Sequence, residues 1–220
     1  MRALDLFCGG GGAADGLRSV GFDVVGVDSD ARCARSYPGP FVVGDALRPP
    51  VELGAFDLIW ASPPCPAYST ATPAAARSRH PDLVGPIRDV LQASGVDYVI
   101  ENVPGAPLRN PVRLAGAMVG LHGIRRERWF ELSWFSLFPP FRAGTVGRAI
   151  LVNTHGIYKT VRMPDGRRSR SRVVKGGNRV ARIVMGVGPG RMTRRELGNA
   201  VPPPMAAMIG SAWVRDRRLR

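Results

Sequence analysis

A cysteine that follows a short apolar segment has a setting that suits nucleophilic chemistry. Residues 57–61 predict a buried strand, which runs through Ser-Pro-Pro directly into Cys65. Open α/β sheets bind ligands outside the carboxyl ends of their strands, so this thiol is expected where substrates bind. Because only the thiolate is a good nucleophile, the site must lower the pKa of the cysteine or supply a proton acceptor.

Charged residues follow at the end of one further predicted strand and at the start of another. Residues 97–101 predict a short buried strand whose last residue is Glu101. A basic cluster at residues 124–128, with Arg126 and Arg128, leads into a strand predicted at residues 128–133. Because the carboxyl ends of parallel strands share one edge of a sheet, we expect Glu101 near Cys65 on the same rim.

The opening segment predicts a nucleotide-like ligand. A strand at residues 2–7 leads through four glycines, residues 9–12, into a helix, and such a turn lets a ligand approach the helix N-terminus. Asp28 ends the second strand, where an acid binds ribose hydroxyls in doubly wound folds, and Asp45 follows the third, within reach of an adenine edge. These positions favour an adenosine-containing cofactor; the alternative is a tight turn with helix caps and solvated loops.

The elements that must position these residues alternate along the first hundred residues, as in a parallel βαβ sheet. The predicted strands are residues 2–7, 23–28, 41–43, 57–61, 97–101 and 128–133. The predicted helices are residues 13–20, 30–36, 83–93, 112–121 and 201–214, and residues 165–178 are predicted to be a polar basic loop. We therefore expect an α/β fold with a doubly wound, mostly parallel sheet.

The charge is distributed very unequally between the two halves of the chain. Residues 1–110 have a net charge of −3, whereas residues 111–220 carry 22 basic residues against five acids, a net charge of +17. This excess favours contact with a polyanion such as a nucleic acid. A GC-rich genome explains the choice of arginine over lysine, but not the excess of basic over acidic residues.

Length and composition exclude several classes of protein. The 220 residues suit one globular domain, and no apolar run approaches the ~20 residues of a membrane span. Residues 1–7 lack the pattern of a secretory signal. Three cysteines and three histidines without ligand or paired spacing predict neither a disulfide framework nor a metal site. The expected setting is the cytoplasm of a bacterial cell or a phage-infected host.

Taken in order, the motifs resemble those of the DNA (cytosine-5) methyltransferase family over most of the chain. They lie at residues 5–12, 28, 44–45, 63–65, 101–103, 126–128 and 198–202. The resemblance implies the Rossmann-like fold of S-adenosylmethionine-dependent methyltransferases, with S-adenosylmethionine as cofactor and DNA as partner. The cofactor pocket that it implies is lined by Phe7, Gly9, Gly11, Asp28, Asp45, Pro64, Asn199 and Ala200.

The resemblance also implies catalytic roles for Cys65, Glu101, Arg128 and Arg126. The thiolate of Cys65 would attack carbon 6 of cytosine, which activates carbon 5 for methyl transfer. Glu101 would hydrogen-bond the N3 and amine edge of the base, and Arg128 would hold its O2 side with Arg126 in support. A stacked base cannot enter such a pocket, so the target nucleotide must be flipped or already unpaired.

The chain departs from the family pattern in three respects. Pro66 follows the cysteine where the family usually has Gln, and Ile124 stands where Gln usually precedes the arginines. The stretch between the arginine motif and Gly198 is short, which indicates a reduced target-recognition region. We therefore expect a catalytic core at residues 1–137, a reduced basic recognition segment at 138–190, and a C-terminal part at 191–220 whose helix completes the cofactor pocket.

The recognition segment is predicted to bind the DNA backbone. Its proposed contact residues are Arg162, Arg167, Arg168, Arg170, Arg172, Lys175 and Arg179. Because phosphate contacts position a protein but transmit little sequence information, we expect relaxed sequence preference and strong salt dependence. The alternative for this stretch is a solvated loop.

Other functions stay open at this point. The same thiol chemistry fits RNA or a free nucleotide as substrate, or a different one-carbon donor, although the positive charge favours a polymer. A catalytically silent DNA-binding protein of the same fold would need neither Cys65 nor Glu101 nor Arg128, so the presence of all three argues against it. The short recognition region favours such a binder, or a second protein subunit. DNA and RNA are not distinguished.

Overall fold

A seven-stranded sheet forms the centre of the computed structural model, which describes residues 1–121, 124, 126–142, 150–153, 156–162, 168–173, 177–188 and 191–219. Its strands are β1 (Arg2–Leu6), β2 (Asp23–Asp28), β3 (Phe41–Val43), β4 (Leu58–Ala61), β5 (Asp97–Asn102), β6 (Val112–Ala115) and β7 (Glu127–Leu132). The order across the sheet is β3-β2-β1-β4-β5-β7-β6. The first five strands in this order are parallel, and β7 is antiparallel to both neighbours. The predicted doubly wound α/β fold is confirmed.

Helices cover both faces of this sheet. They are α1 (Gly12–Ser19), α2 (Ala74–Arg77), α3 (Val84–Ser94), α4 (Gly177–Met185), α5 (Arg194–Asn199) and α6 (Pro203–Arg217). Helices α1 and α6 pack with one face of the sheet, where Leu17 and Ile209 share a core cluster with alternate strand residues. Helix α3 covers the other face through Ile87 and Leu91. Because both faces are buried, the strands are short and almost continuously apolar.

The order of the strands reverses between β1 and β4. The chain winds from β1 to β2 and β3 on one side, whereas β4 and β5 lie on the other. Leu6 of β1 is paired with Ala61 of β4 at the carboxyl ends of these two strands. A crevice opens outside the strand ends at such a reversal, and this is where doubly wound folds bind their ligands. The glycine loop after β1 and the Cys65 turn after β4 therefore flank the same crevice.

The predicted helix at residues 112–121 is wrong. Val112–Ala115 form strand β6, which pairs with β7, and Gly116–Val119 form a 3-10 turn. Leu114 is buried whereas Arg113 is exposed, which is the alternation of a strand. A segment of four residues is too short to distinguish the two structures from periodicity alone.

Two further predictions need correction, and one is confirmed. The helix predicted at residues 30–36 is a 3-10 turn over Ala31–Arg35, capped by the side chain of Asp30. The stretch predicted as a basic loop contains β10 (Arg168–Val173), which pairs with β9 (Gly156–Arg162). Strand β9 in turn pairs with β8 (Ile150–Asn153), so the described part of this region is a second, antiparallel sheet.

The final predicted helix is present as α6. None of the described helices is long and apolar enough to cross a membrane.

Candidate active site

Cys65 lies on the turn that follows β4, at the carboxyl edge of the sheet. Its carbonyl oxygen accepts hydrogen bonds from the backbone N–H groups of Tyr68 (3.0 Å) and Ser69 (2.9 Å), which curl the chain directly after the cysteine. Asn102, the last residue of β5, donates from Nδ2 to the carbonyl oxygen of Pro63 over 2.9 Å. This bond ties the ends of two neighbouring strands together and fixes the position of the half-buried thiol.

Glu101 and Arg128 form a buried ion pair on the same edge. Nε of Arg128 lies 2.9 Å from Oε1 of Glu101, and the two side chains are only 12% and 7% exposed. Glu101 stands opposite Phe130 in the antiparallel pair of β5 and β7. Arg128 is two residues before Phe130, so it is the diagonal neighbour of Glu101 on the same face of the sheet. The contact between these two side chains therefore follows from the strand register.

Burial and nearby charges both act on the Cys65 thiol. Burial raises the pKa of Cys65 above its usual value, and this is the largest effect. The charge of Arg128 opposes that rise, Glu101 adds to it, and Arg126 lowers the pKa again by a smaller amount. All three charged groups are thus close enough to the sulfur to influence its ionisation. Because burial prevails, the thiol is protonated at neutral pH and needs a change in its surroundings to become a thiolate.

The carboxyl group of Glu101 is also biased towards its protonated form. Burial raises the pKa of Glu101, whereas Arg128, a hydrogen bond with Ser62 and the charge of Arg126 lower it. The net effect is a rise. A carboxyl group with a raised pKa can hold a proton near neutral pH and donate it in a hydrogen bond.

Arg126 reaches a part of the chain that is distant in sequence. Its Nη2 donates to the carbonyl oxygens of Gly198 (2.8 Å) and Ala200 (2.7 Å), and the residue is only 7% exposed. The Gly198 carbonyl group belongs to the last turn of α5, and the Ala200 carbonyl group to the connection that leads to α6. The basic cluster before β7 thus joins the carboxyl side of the site to this motif.

The glycine loop after β1 has the backbone conformation that its composition predicts. Gly9 and Gly11 have φ values of 49° and 82°, in the left-handed region that glycine adopts without strain. The N–H of Gly9 donates to Oδ2 of Asp28 over 2.9 Å, and Oδ1 of Asp28 accepts from the N–H of Asp30. Asp28 therefore holds the loop against the end of β2. Phe7, just before the loop, is a non-glycine residue with φ of 56°.

The space beside this loop fits a nucleoside-bearing cofactor. A Cβ added to Gly9 would meet no atom within 4 Å, so the loop borders open space there. On its other side the loop is tightly packed, because a Cβ on Gly12 would lie 2.3 Å from the carbonyl oxygen of Val201. The loop is thus held from behind by residues 198–201 and open in front, as a backbone cradle for a ligand requires.

The motifs and this geometry agree with a match to a known protein family. Residues 1–110, half of the chain, match the family model described as C-5 cytosine-specific DNA methylase. The chain belongs to this family. The match includes the glycine loop, Cys65 and Glu101, whereas the arginine and Gly-Asn motifs lie beyond it. Membership supports methyl transfer as the kind of reaction. None of the curated proteins matches the sequence significantly.

Solved structures resemble this chain over nearly its whole length. A protein described as a DNA modification methyltransferase from an E. coli prophage superposes with a TM-score of 0.62 at 15% identity, covering 98% of this chain and 99% of its own. The Entamoeba histolytica methyltransferase EhMeth gives 0.62 at 13% identity, covering 98% of both chains. S. pombe Dnmt2 gives 0.61 at 14%, covering 98% and 99%. At these identities the likeness establishes the fold alone.

Other predicted cofactor residues of the methylase chain lie around the same crevice, with varied exposure. Asp45 is exposed after β3, and its Oδ1 accepts from the N–H of Leu47. Pro64 and Asn199 are exposed as well, and Ala200 is half-buried. Ligand contacts of all four remain predictions.

Two residues of this methylase site were given no role from sequence. Ser62 hydrogen-bonds Glu101, and Asn102 links the end of β5 to the Cys65 turn. Both lie inside or beside quoted motifs, so proximity in sequence to Cys65 and Glu101 was the available signal. The contacts of Arg126 with Gly198 and Ala200 had no such signal, because they span more than 70 residues.

The predicted DNA-binding residues fall partly on strands. Arg162 ends β9 and is paired with Arg168 of β10, and Arg170 and Arg172 follow on β10. Arg179 lies on α4 and is exposed. The remaining two, Arg167 and Lys175, lie outside the described residues. No group of potential metal ligands occurs among the residues that the structure describes.

Proposed function

We propose that this protein transfers a methyl group from S-adenosylmethionine to carbon 5 of cytosine in DNA, through a covalent adduct with Cys65. One observation supports this above all: the Glu101–Arg128 ion pair and the Cys65 turn lie at the same edge of neighbouring strands β4, β5 and β7. A thiol, a carboxyl group biased towards protonation and an arginine are the groups that addition to a pyrimidine ring requires. Family membership supports the reaction class.

In this mechanism the first step is nucleophilic addition by the thiolate of Cys65 to carbon 6 of the base. The new carbon–sulfur bond breaks the aromatic system and places electron density on carbon 5. Because burial raises the pKa of Cys65, its proton must pass to solvent water when the substrate arrives. The nearby charge of Arg128 favours that ionisation.

Glu101 and Arg128 stabilise the base while it is activated. Glu101 takes up a proton from solvent as the base binds, which its raised pKa favours, and donates it to N3, where negative charge develops during attack at carbon 6. Arg128 keeps the carboxyl group oriented through the 2.9 Å contact, its Nη1 donates to the Glu127 carbonyl oxygen, and its Nη2 is proposed to donate to O2 of the base. After alkylation of carbon 5, loss of its proton expels Cys65 and restores the aromatic ring.

The cofactor is proposed to lie along the glycine loop, held by Phe7, Gly9, Gly11, Asp28, Asp45, Pro64, Asn199 and Ala200. Bound there, S-adenosylmethionine supplies an electrophilic methyl group on a sulfonium sulfur. The open side of Gly9 and the packed side of Gly12 support a ligand on the crevice side of the loop. Asp28 holds the loop in this shape through the Gly9 N–H.

DNA is proposed as the polymer, bound through its phosphates by the basic half of the chain. The net charge of +17 over residues 111–220 supports a polyanion. In this proposal residues 138–190 act as a reduced recognition segment between the core at 1–137 and the C-terminal part at 191–220. The target cytosine leaves the stack before it enters the site.

The proposal is tested by identifying the product base. The protein is incubated with labelled S-adenosylmethionine and, separately, with duplex DNA, single-stranded DNA, RNA or dCMP, and each product is digested to nucleosides for mass spectrometry. Label in 5-methylcytosine from DNA is the expected result. If 5-methylcytosine forms only from RNA or dCMP, DNA is not the substrate. If a group other than methyl is added to the base, S-adenosylmethionine is not the donor. Tight DNA binding without product would identify a silent binding protein.

A further inference from the structure

Building on the proposed function, we propose that Arg126 is a positioning residue that couples the cofactor loop to the Cys65–Glu101–Arg128 site through residues 198–201. The resemblance assigns Arg126 to the support of Arg128 at the base. Its hydrogen bonds go instead to the end of α5 and the residue that follows it.

The first link is the pair of hydrogen bonds to Gly198 and Ala200. One nitrogen, Nη2, donates to both carbonyl oxygens over 2.8 and 2.7 Å, in a buried setting. Hydrogen bonds from a charged donor are shorter and stronger than neutral ones. They hold the C-terminal end of α5 against the start of β7.

The second link is the packing of the same segment on the glycine loop. A Cβ on Gly12 would lie 2.3 Å from the Val201 carbonyl oxygen and 3.1 Å from the Cβ of Ala200, so these backbones are in close contact. A shift of residues 198–201 must therefore move the loop or open a gap behind it. The loop residue Gly9 is in turn fixed by Asp28.

The third link lies on the opposite side of Arg126. Arg126 directly precedes β7, the strand that carries Arg128, and its charge lowers the pKa of both Cys65 and Glu101. Arg128, two residues further on, makes the ion pair with Glu101. Arg126 thus contacts the segment that supports the cofactor loop and borders the groups that handle the base. Ordering of the loop by the cofactor is then transmitted to the thiol site through one side chain.

The test compares binding of S-adenosylhomocysteine, measured by titration calorimetry without turnover, in wild type, Arg126→Met and Arg128→Met. Arg126→Met should weaken ligand binding about tenfold, which is within the range of coupling between sites. Arg128→Met should bind the ligand within about twofold of wild type and lose turnover. In steady-state kinetics, Arg126→Met should raise the KM for S-adenosylmethionine more than it lowers kcat.

Two further variants control for loss of folding. Arg217→Met removes an arginine that pairs with Asp57, a contact at the opposite edge of the sheet, and should leave ligand affinity and kcat unchanged. Arg126→Lys keeps a charged donor and should recover part of the affinity that Arg126→Met loses. If Arg126→Met does not fold, as judged by circular dichroism, the intermediate affinity of Arg126→Lys decides the question.

The outcomes separate this inference from the function on which it rests. Wild-type affinity in a folded Arg126→Met or Arg126→Lys protein overturns the coupling role and leaves the proposed reaction intact. Equal loss of ligand affinity in Arg128→Met also overturns it, because both arginines would then act as general supports. If wild-type protein does not bind S-adenosylhomocysteine, the proposed cofactor is wrong and the coupling is overturned with it.

Discussion

Arg128 on β7 and Glu101 at the end of β5 are held together by a buried contact of 2.9 Å between Nε and Oε1. The two residues act in opposite directions on the pKa of Cys65: Arg128 lowers it and Glu101 raises it. The two charges therefore adjust, in opposite directions, a pKa that burial raises most.

This opposition predicts the pH dependence of Cys65 alkylation. The thiolate reacts, and burial raises the pKa of Cys65, so the rate should still increase with pH above the ordinary cysteine value of about 8.5. Arg128→Met should move the inflection to higher pH, and Glu101→Gln to lower pH. The measurement is the iodoacetamide reaction rate of the Cys65 peptide, read by mass spectrometry. A wild-type inflection below pH 8, or shifts in the reverse order, would contradict this account.

Replacement of the thiol should separate chemistry from cofactor binding. Cys65→Ser substitutes a hydroxyl group with a far higher pKa, so turnover should fall by at least about 10³-fold. Because Cys65 lies on the β4 turn rather than on the glycine loop, calorimetric affinity for S-adenosylhomocysteine should change by less than about twofold. Cys33→Ser is the matched control and should retain full turnover. Methylation by Cys65→Ser at a wild-type rate would identify a different nucleophile.

The buried carboxyl group of Asp5 should make stability depend on pH. Burial, and then the charge of Asp28, raise the pKa of Asp5 well above its usual value. The contribution of Asp5 to the free energy of unfolding is complete below its pKa in the unfolded chain, near 3.9. This contribution is lost as pH rises through the higher pKa that Asp5 has in the folded protein. The loss has a slope of about 1.4 kcal/mol per pH unit. Asp5→Asn cannot ionise, so it should gain stability relative to wild type between pH 5 and pH 7.

Urea unfolding at the two pH values measures this difference. Asp57→Asn is the control of opposite sign, because a hydrogen bond from Arg217 lowers the pKa of Asp57. The contribution of Asp57 to the free energy of unfolding is therefore lost only as pH falls through that lowered pKa. Its difference from wild type should therefore stay constant between pH 5 and pH 7. A constant difference for Asp5→Asn as well would mean that Asp5 does not titrate with a raised pKa.

A second buried ion pair holds β7, the strand that carries Arg128, against α3. Arg88 donates from Nε and Nη2 to the two carboxylate oxygens of Glu131 over 2.7 Å each, and the Arg109 N–H also donates to Glu131. Removing one partner leaves a buried charge, so Glu131→Leu should destabilise the protein by about 3–5 kcal/mol. The Arg88→Met/Glu131→Leu double variant should be less destabilised than Glu131→Leu in chemical unfolding. Additive losses would argue against a coupled pair.

The basic segment should determine the salt dependence of DNA binding. Each phosphate contact contributes about −0.9 to the slope of log K against log salt concentration. Replacing Arg168, Arg170 and Arg172 by Ser should remove up to about three phosphate contacts and make this slope correspondingly shallower. The same change should weaken binding to all DNA sequences alike. Arg217→Ser, at the other edge of the sheet, should leave the slope unchanged. A sequence-dependent loss would instead indicate base contacts.

The parallel core could be predicted from the sequence because each strand is a short apolar run that ends at glycine or polar residues. The bounds of β2 and β3 were predicted to the residue, and β1, β4 and β5 to within one. Strand β6 was mistaken for a helix, since four residues do not define a period. Strand β10 was missed because its Arg-Ser sequence lacks the apolar alternation of a strand.

The candidate site was predictable only where its residues follow strands. Three parts of the site lie at strand ends: the glycine loop, Cys65 and Glu101. Sheet topology alone therefore brings them to the carboxyl edge of the sheet. The bonds from Arg126 to Gly198 and Ala200 depend on how α5 and α6 pack back onto the sheet, which neither periodicity nor composition reveals.

The most direct test of the central claim is to trap the covalent adduct. A cytosine with fluorine at carbon 5 has no proton to lose after methyl transfer, so the bond between sulfur and carbon 6 should persist. The protein is incubated with S-adenosylmethionine and DNA containing this base, digested, and analysed by mass spectrometry. The account predicts a methylated nucleotide attached to the peptide that contains Cys65. Attachment at Cys8 or Cys33, or release of methylated DNA without any adduct, would contradict it.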